Sequence, residues 1–148
     1  MPLVAHPGTK WNYSLGMDVL GALIEEVADM SFGDFLKERI FEPLGMKDTG
    51  FTVPEGKLNK FAANYGPTLQ GGMVLMDDPE KSGYKNPPPL ESGGGGLVST
   101  AEDYLKFAQM LLNKGEFEGR RYLGKKTVEF MTSDHMGIES ADDGLTCL

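Results

Sequence analysis

Pro7-Gly8-Thr9-Lys10-Trp11-Asn12-Tyr13-Ser14, followed at once by an amphipathic run, is the stretch whose reading decides the fold. Pro7-Gly8 marks a turn. Trp11 and Tyr13 alternate with polar Asn12, as a short extended piece would. Ser14 can accept a hydrogen bond from the first free N–H groups of the run, so it is the expected N-cap. The stretch thus sets a tyrosine hydroxyl at a loop-to-helix junction, in the partial positive field of a helix N-terminus. Two readings are open on spacing alone. Trp11 and Tyr13 either anchor the loop on the core, as buried aromatics commonly do, or present the Tyr13 hydroxyl to a site.

Moving outward, the spacing predicts a first helix from about Leu15 to Asp29. Leu15, Val19, Leu20, Leu23, Ile24 and Val27 form its apolar stripe, expected as core, with Asp18, Glu25 and Glu26 off it. A second helix starts at Ser31, with Asp34 three residues on as an acidic variant of the capping box. Phe32, Phe35, Leu36, Ile40 and Phe41 make its apolar side, and Pro43 and Gly45 stop it. Phe51-Thr52-Val53 is a strand candidate. So are Ala62-Ala63-Asn64-Tyr65 and Met73-Val74-Leu75-Met76, with Gly71-Gly72 as turn residues between them. Asp77 to Pro89 reads as a surface loop, stiffened by Pro87-Pro88-Pro89.

Ser92 to Gly96 is a glycine run. It fails the dinucleotide pattern, because position 98 is Val, and no Gly-Lys-Ser/Thr follows for a phosphate loop. A glycine run also lets backbone approach another surface closely. Thr100 with Asp103 caps a third helix from Ala101 to about Lys114, stopped by Gly115. Tyr104, Phe107, Ala108, Leu111 and Leu112 are its expected buried side. A fourth helix runs from about Lys125 to Met131, with Val128 and Met131 inward, and the tail from Asp134 to Leu148 is polar and loose. The fold class is therefore mainly α with short β strands.

The 148 residues suffice for one domain with a real core. The net charge of −8 argues against nucleic acid, since a phosphate backbone needs a basic face. Cys147 is the single cysteine, so there is no internal disulfide framework. No apolar run is long enough to span a bilayer, and Met1-Pro2-Leu3 enters the turn without a leader pattern. His6 and His135 stand far apart, so neither a metal site nor any other cofactor is expected.

Two blocks carry a family resemblance. The first is Pro-Gly-Thr-x-Trp-x-Tyr-Ser, then a helix, then Arg39-Ile40-Phe41-Glu42-Pro43-Leu44-Gly45-Met46-Lys47-Asp48-Thr49-Gly50-Phe51. The second is Gly94-Gly95-Gly96-Leu97-Val98-Ser99-Thr100-Ala101-Glu102-Asp103, with Phe107 and Met110-Leu111-Leu112-Asn113 after it. In order and spacing, from about Pro7 to about His135, the chain resembles the serine β-lactamase-related superfamily. That group includes class C β-lactamases, family VIII carboxylesterases and D-Ala-D-Ala peptidases.

The resemblance implies that residues 1–148 form the helical lobe of a serine β-lactamase-like fold. The resembled enzymes attack an ester or amide with a serine on a Ser-x-x-Lys helix. The lysine and a tyrosine move its proton, and backbone N–H groups hold the oxyanion. Tyr13 matches that tyrosine. Leu15 stands where the family often has Asn, which leans toward the esterase-like branches. The glycine segment lies near the substrate cleft in the family, which makes Gly95, Gly96 and Leu97 the expected substrate-binding residues. No serine precedes Tyr13, so the nucleophile is expected to be missing, and the chain to be inactive alone.

Three decoys match catalytic motifs by letter. Ser82-Gly83-Tyr84-Lys85 fits Ser-x-x-Lys, but Gly83 and nearby prolines argue for a loop, where the lysine cannot stand one helical turn from the hydroxyl. Lys126-Thr127 lacks the glycine of the family's last motif. His135-Met136-Gly137 has that motif's letters but no visible strand, and adjacency makes a Ser133-Asp134-His135 triad unworkable. The expected function is thus a fragment of a serine hydrolase acting on a small ester or β-lactam in the complete enzyme. The alternative is a stand-alone, non-catalytic domain that binds a protein or a peptidoglycan-like ligand. In the resembled fold this lobe packs on a β lobe through apolar side chains. The uncovered first helix and the Met73–Met76 segment therefore predict a homo-oligomer.

Overall fold

The computed structural model describes Leu3, Ala5, His6, Thr9 and residues 12–135. The Pro7-Gly8 turn, Trp11, Cys147 and the tail beyond His135 lie outside the described residues. The chain forms two compact units, Met1–Asp103 and Tyr104–Leu148.

In the first unit, helix α1 spans Gly16–Ala28. Its N-cap is Leu15 and not Ser14, because Leu15 takes a turn conformation (φ −77°, ψ 23°) that shifts the start by one residue. Leucine has no acceptor, so no side chain caps this end. The helix closes at Asp29, left-handed at φ 54°, whose N–H bonds the Glu25 carbonyl. The stripe expected as core is mostly exposed: Leu15, Val19, Leu20, Leu23 and Val27 all face solvent. Ile24 is half-buried, and Gly21 is the buried position of the helix. The stripe has helical period, but the first unit leaves most of it open, with Phe35 of α2 beside Leu23, Ile24 and Val27.

Helix α2 spans Phe32–Leu36 and begins with three satisfied N–H groups. Asp34 N–H donates to Ser31 Oγ at 3.1 Å, as the cap pattern predicts. Phe32 N–H donates to Glu25 Oε1 at 3.0 Å, and Gly33 N–H to Glu91 Oε2 at 2.6 Å. Such side-chain acceptors replace the carbonyls that a helix start lacks. The chain continues as a π-helical turn, Lys37–Phe41, where an ordinary helix was expected. Pro43 has no N–H to carry the α ladder on. Gly45, at φ 67°, closes the turn. Among the described residues of this unit, Phe32, Phe41, Leu44, Met46 and Phe51 are the buried apolar side chains, with the Phe32 and Phe51 rings 6.0 Å apart.

Phe51-Thr52-Val53 is not a strand. Instead Gly50 and Val98 form one isolated antiparallel bridge, with N···O distances of 3.1 and 2.8 Å. Pro54, which cannot donate, follows the segment closely. Strands β1 (Asn64–Pro67) and β2 (Met73–Asp77) form the expected hairpin, with Pro67 opposite Met73 and Tyr65 opposite Leu75. Gly71 and Gly72, both at positive φ, make its turn. Met73, Val74, Leu75 and Met76 are all exposed.

Helix α3 covers Ala101–Leu112, and the division between the units falls within it, after Asp103. Asp103 N–H donates to Thr100 Oγ1 at 3.2 Å, the expected cap. The buried side is rotated from expectation. Met110 and Asp103 are buried, whereas Tyr104 and Leu112 are exposed, because a carboxylate takes an inward position of the first turn.

In the second unit, Gly115 stops α3 at φ 90°. A Cβ there would lie 2.2 Å from the Leu123 carbonyl oxygen, so only glycine fits. A short hairpin, β3 (Glu116–Phe117) and β4 (Arg120–Arg121), follows. Helix α4, Lys125–Met131, buries Val128 as expected but leaves Met131 exposed.

Candidate functional site

The first unit holds a cavity of about 840 Å³. Phe51, Tyr84, Leu90 and the Pro87-Pro88-Pro89 segment give it apolar and stiff walls, while Asn64, Asp77 and Asn86 add polar groups. Gly95 and Gly96 lie on its lining, together with Ser92. Gly96 sits at φ 91°, a conformation side chains rarely adopt, with the Phe51 ring 3.8 Å from its would-be Cβ. Exposed backbone therefore lines this part of the cavity.

Of the residues expected to bind substrate, Gly95 and Gly96 line the cavity. Leu97 is exposed and is not among the lining residues. Tyr13 is 93% exposed three residues before α1. Among the described residues of 1–148 the Tyr13 ring thus packs on no core. Tyr13 likewise is not among the residues lining the cavity.

Three polar ties organise the loop side of this unit, and sequence spacing did not reveal them. The buried Asp103 carboxylate accepts Asp48 N–H at 2.7 Å and the Thr49 hydroxyl at 3.1 Å. The Ser92 hydroxyl donates to Asp18 on the first turn of α1 and accepts Gly94 N–H at 3.1 Å. Lys57 pairs with Asp48. In the sequence Asp18 stands only as a residue off the apolar stripe of the first helix, and Asp103 as a cap partner of Thr100. The available signal was that both lie inside or beside the two blocks that carry the resemblance.

The decoys have other employment. Ser82 is 4% exposed, donates to Asp77 Oδ2 at 2.8 Å and accepts Tyr84 N–H at 3.2 Å, capping the turn Gly83–Lys85. Lys85 Nζ donates to the Glu80 carbonyl at 2.9 Å and not to Ser82. Lys126 pairs with Glu129 at 2.7 Å on α4. That ion pair holds the Glu129 carboxyl below the usual carboxylate range, with Lys114 and Lys125 adding to the effect. His135 Nε2 lies 2.6 Å from the Phe130 carbonyl and 3.1 Å from Ser133 Oγ, and the Ser133 hydroxyl donates to that same carbonyl at 2.8 Å. No group of three metal-ligating side chains occurs among the described residues. None of the described helices is long and apolar enough to cross a membrane.

A family model described as Beta-lactamase matches residues 1–144. The chain belongs to the Beta-lactamase family. Within this family it is similar to Protein Rv1367c of Mycobacterium tuberculosis, with 37% identity over 139 residues, covering 94% of this chain and 34% of the relative. It is also similar to the lovastatin esterase of Penicillium rubens, with 31% identity over 95% of this chain and 34% of the relative. Among solved structures, an engineered simvastatin synthase from Aspergillus terreus superposes with a TM-score of 0.78 and 26% identity. That match covers 93% of this chain and 32% of the synthase. The β-lactamase-like fold is thus shown for a helix-rich chain with few, short strands. The chain spans about a third of the length of the curated relatives it matches.

Proposed function

We propose that this chain is the helical lobe of a serine β-lactamase-like hydrolase of the esterase branch. In this reading it supplies Tyr13 and, through Gly95, Gly96 and Leu97, one wall of the cleft. The Ser-x-x-Lys pair comes from sequence outside residues 1–148. The serine hydroxyl attacks the carbonyl of a small ester or β-lactam, the lysine and the Tyr13 hydroxyl take its proton and return it to the leaving group, and water then releases the acyl chain. Taken alone, the chain lacks the attacking group and is inactive.

The single observation that carries this is the exposure of Tyr13 just ahead of α1, in the block that matches the family motif. The esterase branch is favoured by Leu15 at the position where the family often has Asn, and by the similarity to a lovastatin esterase. One observation favours the second reading, a stand-alone binding domain: the cavity near Phe51 and Tyr84 is walled entirely by the first unit.

The test is Tyr13→Phe in the complete enzyme. The catalytic constant should fall roughly a hundredfold, the scale of a lost general acid–base group, while KM changes little. A near-normal rate would remove Tyr13 from the chemistry.

A further inference from the structure

Asp18 and Ser92 lie 74 residues apart in sequence and meet through a side-chain hydrogen bond. Asp18 is on the first turn of α1, and Ser92 directly precedes the glycine run. The same Ser92 hydroxyl accepts the Gly94 N–H at 3.1 Å, so one oxygen joins the helix to the run. Between them Gly93 packs backbone on backbone: a Cβ there would lie 2.1 Å from the Met17 carbonyl oxygen. Two residues before Gly93, Glu91 holds the Gly33 N–H. The upstream end of the run is therefore held at successive residues, by side chains and by contact. Just downstream, Gly95 and Gly96 line the cavity. At the other end of the connection, α1 starts three residues after Tyr13.

We propose that Asp18 and Ser92 are positioning residues. Their hydrogen bond keeps the glycine run in one register against the first turn of α1, and so sets Gly95 and Gly96 relative to the Tyr13 loop. This rests on the reading of Tyr13 and the glycine run as parts of one cleft. Neither side chain is required to touch the reacting atoms. A bond to an ionised carboxylate is stronger than one between neutral groups. The register matters because a misplacement of about 1 Å can cost on the order of a hundredfold in rate.

Two measurements test the pair. In the isolated chain, amide hydrogen exchange is compared for the wild type, Ser92→Ala and Ser92→Thr. Exchange at Gly94, whose N–H the Ser92 hydroxyl accepts, should quicken in Ser92→Ala by about tenfold or more, since a local tie is lost. It should stay slow in Ser92→Thr, which keeps the hydroxyl. Unchanged exchange in Ser92→Ala overturns the proposal. In the complete enzyme, with p-nitrophenyl butyrate, Ser92→Ala should lower kcat about tenfold with KM nearly constant. The double variant Asp18→Ala/Ser92→Ala should fall no further than the worse single one. A lowered melting temperature with kcat intact would show a purely structural tie and would also overturn the proposal. Tyr13→Phe is run alongside. If it is normal while Ser92→Ala is slow, the role of Tyr13 fails and the positioning of the glycine run stands.

Discussion

The Asp103 carboxylate accepts the backbone N–H of Asp48 at 2.7 Å, across 55 residues of chain. This contact fastens the Leu44–Phe51 block to the start of α3. The Gly50–Val98 bridge and the Thr49–Ser99 hydroxyl contact at 2.8 Å lie alongside it. The two sequence blocks that carry the family resemblance are thus neighbours in space, joined by a buried carboxyl group that accepts from Asp48 and Thr49.

Removing that acceptor should be costly. Asp103→Ala leaves the half-buried Asp48 N–H without its carboxylate; a fully buried donor left unsatisfied costs about 1–3 kcal/mol, and the loss here should reach the lower part of that range. Urea unfolding should show a lowered midpoint with an unchanged slope. A midpoint equal to wild type would mean that water replaces the carboxylate at no cost.

The glycine run separates sterics from flexibility. Gly93→Ala should destabilise by about 1–3 kcal/mol, the usual range for overpacking, because its methyl meets the Met17 backbone. Gly95→Ala should be close to neutral, since nothing lies within 4 Å of its would-be Cβ. Equal effects at both positions would contradict the close approach of the run to α1.

The isolated chain should turn over neither p-nitrophenyl butyrate nor nitrocefin. Ser82 is occupied by Asp77 and Tyr84, and Lys85 points to another acceptor. Turnover abolished by Ser82→Ala would instead make this serine a nucleophile and reject the assignment of a missing one.

The Lys126–Glu129 pair gives a pH signature. Because the folded-state pKa of Glu129 is lowered, first of all by Lys126, its contribution is present above the unfolded pKa. It is lost as pH falls through the depressed folded value. Lys126→Met should therefore raise the Glu129 pKa in a carboxyl NMR titration. An unmoved titration would assign the shift to Lys114 and Lys125 alone.

The uncovered stripe of α1 and the exposed Met73–Met76 strand should drive self-association. Unpaired strand edges add to this, while the net charge of −8 favours a limited oligomer over precipitation. Sedimentation at low micromolar concentration should show a dimer or larger closed assembly. A monomer that binds no hydrophobic dye such as ANS would sink the expectation.

Local signals determined much of this protein. Periodicity located α1, α3 and α4 to within one or two residues, and Ser31, Thr100 and Gly115 bounded elements because capping and positive φ are properties of a few adjacent residues. The motif around Tyr13 and the glycine run named the family without any coordinates. Only the tertiary structure decided which apolar faces are covered. Helical spacing gives a stripe its period, but burial depends on whether another element lies over it, and most of the α1 stripe is exposed among the described residues. The tertiary structure alone also showed that Asp18 meets Ser92 and Asp103 meets Asp48. A hydrogen bond between positions 74 or 55 residues apart leaves no mark on either local pattern, because its partner is chosen by the path of the chain between them.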